Sequence, residues 1–374
     1  SYELSRDSSR VLIYYNLPYD KGESEKFGFH VFDNNFNQLW EKKVILPYKE
    51  QLFEVQDYKV DNTGNVYLLG VIFKGKRVER RKGEPNYKYQ ILSYTDNGSE
   101  MREYPVEIAG TFLTDMQIAV NDDQDIICAG FYSAEGTFSI KGSYFLKINS
   151  DTKEIITKEF KEFGIDFITQ NMTERQEEKT KKKAEKGKDT ELFQYDLKDI
   201  IIRDDGGAVL IGEQFYVITT TVRMSNGNGV TTTSTTSQYF YNDIIVISIS
   251  PNGSIDWNEK IPKKQITLND GGFYSSYAVS VVKDKLYFVF NDHPNNLFYK
   301  KQGKLSNFNK SPESIMVLVE LDSQGNQTRE ALYNAKKSGI LTRPKVCEQI
   351  SDNEMILFGQ DKKIHRFARI SFKN

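Results

Sequence analysis

Cysteine is almost missing from this chain, with Cys128 and Cys347 the only two among 374 residues. Two thiols so far apart in sequence exclude a disulfide-stapled scaffold and read as free side chains inside apolar, strand-like runs. Histidine is scarce too: His30, His293 and His365 stand apart, without the spacing or the nearby Cys or Glu pattern of a zinc site. No sign of charge dominates, because 50 basic and 52 acidic residues leave a net −2, so no global field draws nucleic acid or an anionic membrane. No apolar run approaches the roughly 18 residues of a membrane span. Neither a Gly-x-Ser-x-Gly elbow nor a phosphate-binding glycine loop is present, and no cofactor motif stands out. The chain opens at Ser1 and not at Met, so the lack of a leader says nothing about compartment.

What is abundant is Tyr (22), Phe (24) and short apolar runs hinged on Asn, Asp, Gly and Ser. The clearest stretch is Lys198 to Lys264. It opens with KDIIIRDDGGAVLIGEQ, hinged on Asp204-Asp205-Gly206-Gly207, and resumes as YNDIIVISISPNGSIDWNEKIPKK, hinged on Pro251-Asn252-Gly253-Ser254. Four short strands with tight turns inside each pair make one antiparallel sheet. The same order A–B–C–D recurs from SYELSRDSSRVLIYY onward, giving six units, the last of which ends at HRFARISF without a fourth strand.

The strand types select the architecture. The B and C strands are apolar on consecutive residues, as in Val66-Tyr67-Leu68-Leu69, Ala208 to Ile211, Ile244 to Ile247 and Met355 to Phe358. Such strands are covered on both faces. The D strands carry lysines and glutamates, as in Trp40-Glu41-Lys42-Lys43 and Trp257-Asn258-Glu259-Lys260, which protects an exposed edge. Sandwiched central strands with a charged outer edge in every unit predict an all-β fold, a six-unit β-propeller in one domain spanning 1–374. A two-sheet sandwich, or a split pair of β domains, is the competing architecture. The outer strand of the last unit is expected from residues upstream of Ser1, or else that unit stays three-stranded; pairing of Ser1 to Ser5 with the last unit would overturn the register. Trp40 and Trp257 hold equivalent places and are expected to be buried between neighbouring units.

Two segments depart from the repeat. QNMTERQEEKTKKKAEKGK, within an insertion at 164–192, predicts a short solvated helix with Glu178 four residues before Lys182 and Gly187 as its stop. The Thr-rich run within 214–241, centred on Asn226-Gly227-Asn228-Gly229, predicts a protruding β-hairpin, with a disordered loop as the alternative.

All the long connections are B–C or D–A, which lie at one end of such sheets. That face is where binding residues are expected. The candidates on it are Arg80, Arg81, Tyr239, Tyr241, Gln265, Asn291, Asp292, His293 and Asn296. The acidic pairs Asp122-Asp123 and Asp204-Asp205 fall in A–B turns and lack the spaced ligand set of a calcium loop, so no metal ligands are assigned. The lack of a nucleophile or metal constellation favours a non-enzymatic binding or scaffold protein with a protein or glycan partner. The alternative is a carbohydrate hydrolase or lyase with acidic residues at a channel mouth. Oligomeric state has no signature.

NEKIPKKQ at Asn258 to Gln265, FNDHPNN at Phe290 to Asn296, and the Thr-rich hairpin before YNDIIVISISPNGSIDW are similar to a group of uncharacterised secreted proteins of Bacteroidota. The likeness covers the second half best. It implies an extracytoplasmic location, periplasm or cell surface, and by analogy an accessory role in an outer-membrane complex. It transfers no functional residue.

Overall fold

The computed structural model describes every residue except 19–21, 79, 83, 135–138, 189, 226–230, 300–303, 309, 362 and 373–374; at 80 and 231 it describes the backbone. Among the described residues the chain is all-β with few helices, its six larger antiparallel sheets having four or five strands each and two further pairs of short strands lying outside them. It divides into two compact units: Ser1–Phe163 with Asp199–Leu210 and Ile249–Ile255, and Gly164–Lys198 with Ile211–Ser248 and Asp256–Asn374.

The first sheet orders its strands Tyr2–Leu4, Arg10–Asn16, Ser24–Asp33 and Gln38–Lys49 as A–B–C–D, and the next four sheets keep that order. Tyr2 pairs with Ile13 and Leu4 with Val11, so the start of the chain is strand A of its own sheet. In the sixth sheet the A strand is split into Leu341–Thr342 and Glu348–Ser351 by a turn of 3-10 helix, Pro344–Val346, before strands B (Glu354–Asp361) and C (Ile364–Ser371).

The turns form for a local reason. Asp33 accepts from the amides of Asn35 and Asn37 at 2.9 and 2.8 Å and from the Asn37 side chain at 2.9 Å, and Asp322 does the same with Gln324 and Asn326. Asp61 closes its turn in the same way on Thr63 and Asn65. These bonds to the ionised form hold the Asp33 and Asp322 carboxyls below the usual range. Aspartates in these turns are therefore engaged with the backbone, which is the local reason for their placement.

The cores lie between consecutive sheets. In the second sheet Val66 and Leu68 join Phe29, Val31 and Trp40 of the first, while Tyr67 and Leu69 join Ile118 and Cys128 of the third. One strand thus feeds two cores from its two faces, as its unbroken apolar run requires. The sixth sheet departs from that expectation: Met355 and Leu357 are buried but Ile356 and Phe358 are only half-buried, so its B strand is covered on one face. Cys128 is fully buried and Cys347 half-buried, and neither is in a disulfide.

The D strands of the first four sheets each lean on the C–D turn of the following sheet. The Trp40 ring lies against Gly98, and its indole N–H donates to the Gly64 carbonyl at 3.0 Å. Arg102 and Tyr104 donate to the Ser150 carbonyl at 3.0 and 2.7 Å. Thr157 and Glu159 flank Gly253, and Trp257 packs on Gly325 and donates to the Ser323 carbonyl at 2.9 Å. Gly98, Gly253 and Gly325 have φ of +77°, +89° and +83°, where a side chain would be strained as well as blocked by its neighbour.

The insertion holds two helices, α1 (Ile165–Thr169) and α2 (Glu174–Glu185). Thr173 and Gln176 form a capping box at the start of α2, and Lys181 and Lys182 pair with Glu177 and Glu178 one turn earlier. Gly187 follows in the left-handed region at φ +66°.

The two tryptophans differ in burial, which corrects one expectation: Trp40 is 8% exposed, whereas Trp257 is only half-buried. Trp40→Ala should lower stability by about 3–5 kcal/mol, as emptying a core site does. Trp257→Ala should lower it by about 1–2 kcal/mol, in the ordinary range for a half-covered side chain. Urea midpoints of both variants against the parent check the order, which equal losses would contradict.

Candidate functional site

Seven of the nine face residues expected from the sequence fall in the second unit, at the base of the hairpin. The hairpin itself is two long strands, Ala208–Ser225 and Thr231–Ile249, continuing the B and C strands of the fourth sheet; the Asn-Gly turn expected at its tip lies outside the described residues. Phe215 meets Tyr241 in a tilted pair and Tyr216 stacks on Phe240, at centroid distances of 4.6 and 4.4 Å. Further out Thr219 meets Ser237 at 3.1 Å and Thr221 meets Thr235 at 3.2 Å.

After the fourth sheet's D strand (Ile255–Ile261) the chain turns and adds Gln265–Leu268 beside the hairpin, pairing Tyr239 with Thr267 and Tyr241 with Gln265. Beneath this junction lies a closed polar network. Lys263 Nζ donates to Glu213 Oε1 at 2.7 Å, the Tyr241 carbonyl at 3.0 Å and Gln265 Oε1 at 3.1 Å, so its three protons are all used. Ser276 Oγ donates to Glu213 Oε2 at 2.6 Å. Gln265 Nε2 donates to the Asn291 carbonyl at 2.7 Å, and Asn291 Nδ2 to the carbonyls of Tyr274 and Thr342 at 2.8 and 2.7 Å. The Glu213 and Lys263 side chains are fully buried, and burial pulls the Lys263 ammonium below its usual range. A serine, a glutamate and a lysine in one chain of bonds invite a nucleophile reading, but no substrate reaches them in this geometry. They lock three loops together.

Asp292 is equally buried. It accepts from Asn296 Nδ2 at 2.7 Å and lies 3.4 Å from Arg329 Nη1; burial pushes its carboxyl up against the pull of that guanidinium. Asn296 also binds both sides of Ser306, accepting from its N–H and donating to its carbonyl at 2.8 Å each. His293 caps the 3-10 turn Pro294–Phe298, its Nδ1 accepting from the Asn295 amide at 3.1 Å. Thus Gln265, Asn291, Asp292 and Asn296 shape the face from within, and Tyr239 and His293 remain half-exposed upon it. Lys345 donates to the Tyr241 hydroxyl at 2.7 Å and stands 4.4 Å over its ring. Arg80 and Arg81 belong to the first unit, in a two-residue strand paired with Glu84–Pro85.

The sequence reading missed the hairpin's outward residues. Ile218, Val222 and Met224 lie an even number of positions apart, hence on one face of the strand, and are 46%, 47% and 61% exposed. Their signal was readable as period-two apolar letters in a polar run. It also missed Glu213, a lone charge at the end of the apolar run AVLIG, whose partner lies 50 residues on.

In the first unit, the A strands of the first four sheets line a cavity of about 420 Å³. Its acids are paired: Glu3 lies 2.8 Å from Lys59, and Arg6 bridges Asp122 at 3.1 Å and Asp204 at 2.6 Å. Among the described residues no three His, Cys, Asp or Glu side chains converge as a metal-ligand set.

Lys260 generates a pH prediction. It is 3% exposed, its Nζ donates to the Ile168 carbonyl at 3.0 Å, and burial, opposed by Asp243, pulls its ammonium from 10.5 down to about 8. Between those values the unfolded chain binds the proton and the folded chain does not, so this residue's contribution to stability rises with pH across that window and is least favourable below it. Lys260→Met removes the dependence. Melting of parent and variant from pH 7.5 to 10 should show the difference between them shift in the parent's favour as pH rises; parallel curves would contradict it.

No family model and no curated protein matches this chain. Among solved structures it is similar to the WD40 domain of SCAP from fission yeast at 8% identity and TM-score 0.35, covering 100% of this chain and 81% of that one. The periplasmic gluconolactonase of Pseudomonas aeruginosa matches at 8% identity and TM-score 0.30, covering 89% of this chain and 84% of that one. A protein of unknown function from Bacteroides caccae matches at 14% identity and TM-score 0.27, covering 86% of this chain and 94% of that one. Likeness this low carries no argument about activity, and the architecture rests on the strand pairing itself.

Proposed function

We propose that the chain is a non-enzymatic binding or scaffold protein of the cell envelope, a six-bladed β-propeller whose last blade lacks its outer strand. In this reading it holds a protein partner through the face bearing the long B–C and D–A loops, with the hairpin as principal contact. A place as accessory subunit of an outer-membrane complex belongs to the same reading. The repeated A–B–C–D order supports the propeller, and the resemblance at NEKIPKKQ and FNDHPNN supports the envelope.

One observation carries the binding role. Ile218, Val222 and Met224 present an apolar stripe on a ribbon whose other face pairs its hydroxyls, Thr219 with Ser237 and Thr221 with Thr235. Aligned exposed apolar residues on a projecting element serve a partner surface and not the fold. The ionisable groups that would serve catalysis at the hairpin base are sealed and mutually satisfied, which argues against the carbohydrate-active enzyme.

The test compares the parent with Ile218→Ser/Val222→Ser/Met224→Ser and with a chain in which a short turn replaces Val222 to Thr235. Both variants should melt with the parent, because the altered residues bury little. Both should lose the protein that the parent captures from envelope extract, identified by mass spectrometry. A variant that folds and retains that capture overturns the arm as the contact, and a deletion that unfolds the chain shows that the ribbon belongs to the core.

A further inference from the structure

Outside the hairpin, the sixth sheet leaves open an edge that the other sheets cover. Its C strand, Ile364–Ser371, pairs with Glu354–Asp361 along its whole length, and among the described residues no strand pairs with its other side. The C strands of the second, third and fifth sheets each have a D strand on that side and are buried over most of their length. In the sixth sheet every residue from Ile364 to Arg369 is exposed. Alternate residues of such a strand aim their N–H and C=O groups at the open side, which makes a template for one more strand.

The side chains say what kind of strand fits. Each of the five D strands, outermost in its own sheet, mixes charges of both signs, with Glu41 beside Lys42 in the first and Arg329 beside Glu330 in the fifth. The sixth sheet's C strand carries Arg366 and Arg369 and no acid. The two arginines lie on opposite faces, and so do the exposed apolar residues Ile364 (51%) and Phe367 (73%). Each face of the edge therefore offers one guanidinium and one apolar side chain. Arg366 donates to the Ser338 carbonyl at 2.8 Å and Arg369 lies 3.5 Å from Glu354. A guanidinium has several N–H donors, so a further carboxylate joins without displacing these contacts. The first sheet already shows the pairing this needs: His30 of its C strand lies directly opposite Glu41 of its D strand, 3.0 Å away. A second copy of the strand fits poorly, because pairing it with itself sets cations against cations.

We infer that a partner protein adds an extended acidic strand to this edge, as the fourth strand of the sixth sheet. Running antiparallel to Ile364–Ser371, it sets acids opposite Arg369 and Arg366 and apolar residues opposite Phe367 and Ile364. Its sequence therefore reads acid-x-apolar-acid-x-apolar. The surface is distinct from the hairpin stripe, and the inference does not rest on the hairpin as a binding arm.

Fluorescence anisotropy of the labelled peptide Thr-Glu-Thr-Val-Glu-Thr-Val-Thr, titrated with the full chain to about 1 mM, tests it. The peptide should bind saturably. Arg366→Glu/Arg369→Glu should melt with the parent, weaken binding about tenfold or more, and gain binding to the peptide with Lys in place of both Glu. Proline in place of the second and third Thr should abolish binding: those positions are an odd number apart, so one of them loses a bonded N–H whichever way the ladder runs. The triple serine variant of the hairpin should bind as the parent does. Absence of binding overturns the inference, and so does a charge-reversed chain that folds and binds the acidic peptide unchanged. Equal binding of the proline peptide, or of an all-glutamate peptide, would make the edge a plain cationic surface and overturn it. A dimer of the parent that Phe367→Lys splits would seat a second copy there and overturn it too. If native residues precede Ser1, the longer chain is titrated as well; loss of peptide binding in it would give the edge to the protein's own segment and overturn the partner.

Discussion

The architecture depends on one repeated contact: the outer strand of a sheet resting on the C–D turn of the next. The turn must come close, which is why glycine with positive φ stands at Gly98, Gly253 and Gly325, and the outer strand must supply something to fill the approach, a tryptophan ring at two junctions and Thr157 with Glu159 at another. Where the turn lacks a glycine, at Ser150, the strand offers hydrogen bonds from Arg102 and Tyr104 instead. The same junction is thus closed by packing or by polar bonds, and in both forms each sheet is held mainly by its immediate neighbours.

The junctions also explain how a chain of short strands supports long loops. The Glu213–Lys263 pair is costly to bury and cheap to replace with apolar residues in energetic terms. Its geometric value lies in joining the hairpin base, the strand after Lys264 and the segment at Ser276 at one point. Asn291 then ties this point to Tyr274 and Thr342. The projecting ribbon therefore springs from a buried, fully hydrogen-bonded base.

Much of the fold was legible because it is written in local chemistry. Asp-x-x-x-Asn turns, unbroken apolar B strands and lysine-bearing D strands can each be read within ten residues, and they set the order of strands within the sheets, though not the added strand Gln265–Leu268 or the split of the last A strand. The helix α2 was legible for the same reason, from its charge spacing and its glycine. The site was less so. Gln265, Asn291, Asp292 and Asn296 looked like surface polar residues on a loop-rich face, yet their partners lie across the sheet order, and no local pattern records that. Burial of Trp257 was overestimated because equivalence in sequence does not guarantee equal cover. In the sixth sheet an equally unbroken apolar run is covered on one face only, because cover is set by what packs across the sheet and not by the strand's own letters.

The two thiols acquire a use from where they lie. Cys128 is in the first unit and wholly buried, with its thiol pushed far up by desolvation; Cys347 is in the second, half-buried and raised less. Only the thiolate reacts with alkylating reagents, so modification of Cys128 requires its surroundings to open first. The chain therefore carries its own pair of built-in clocks, one per unit. The labelling rate of Cys128 under mild denaturant reports the opening of the first unit, with no residue introduced into the chain.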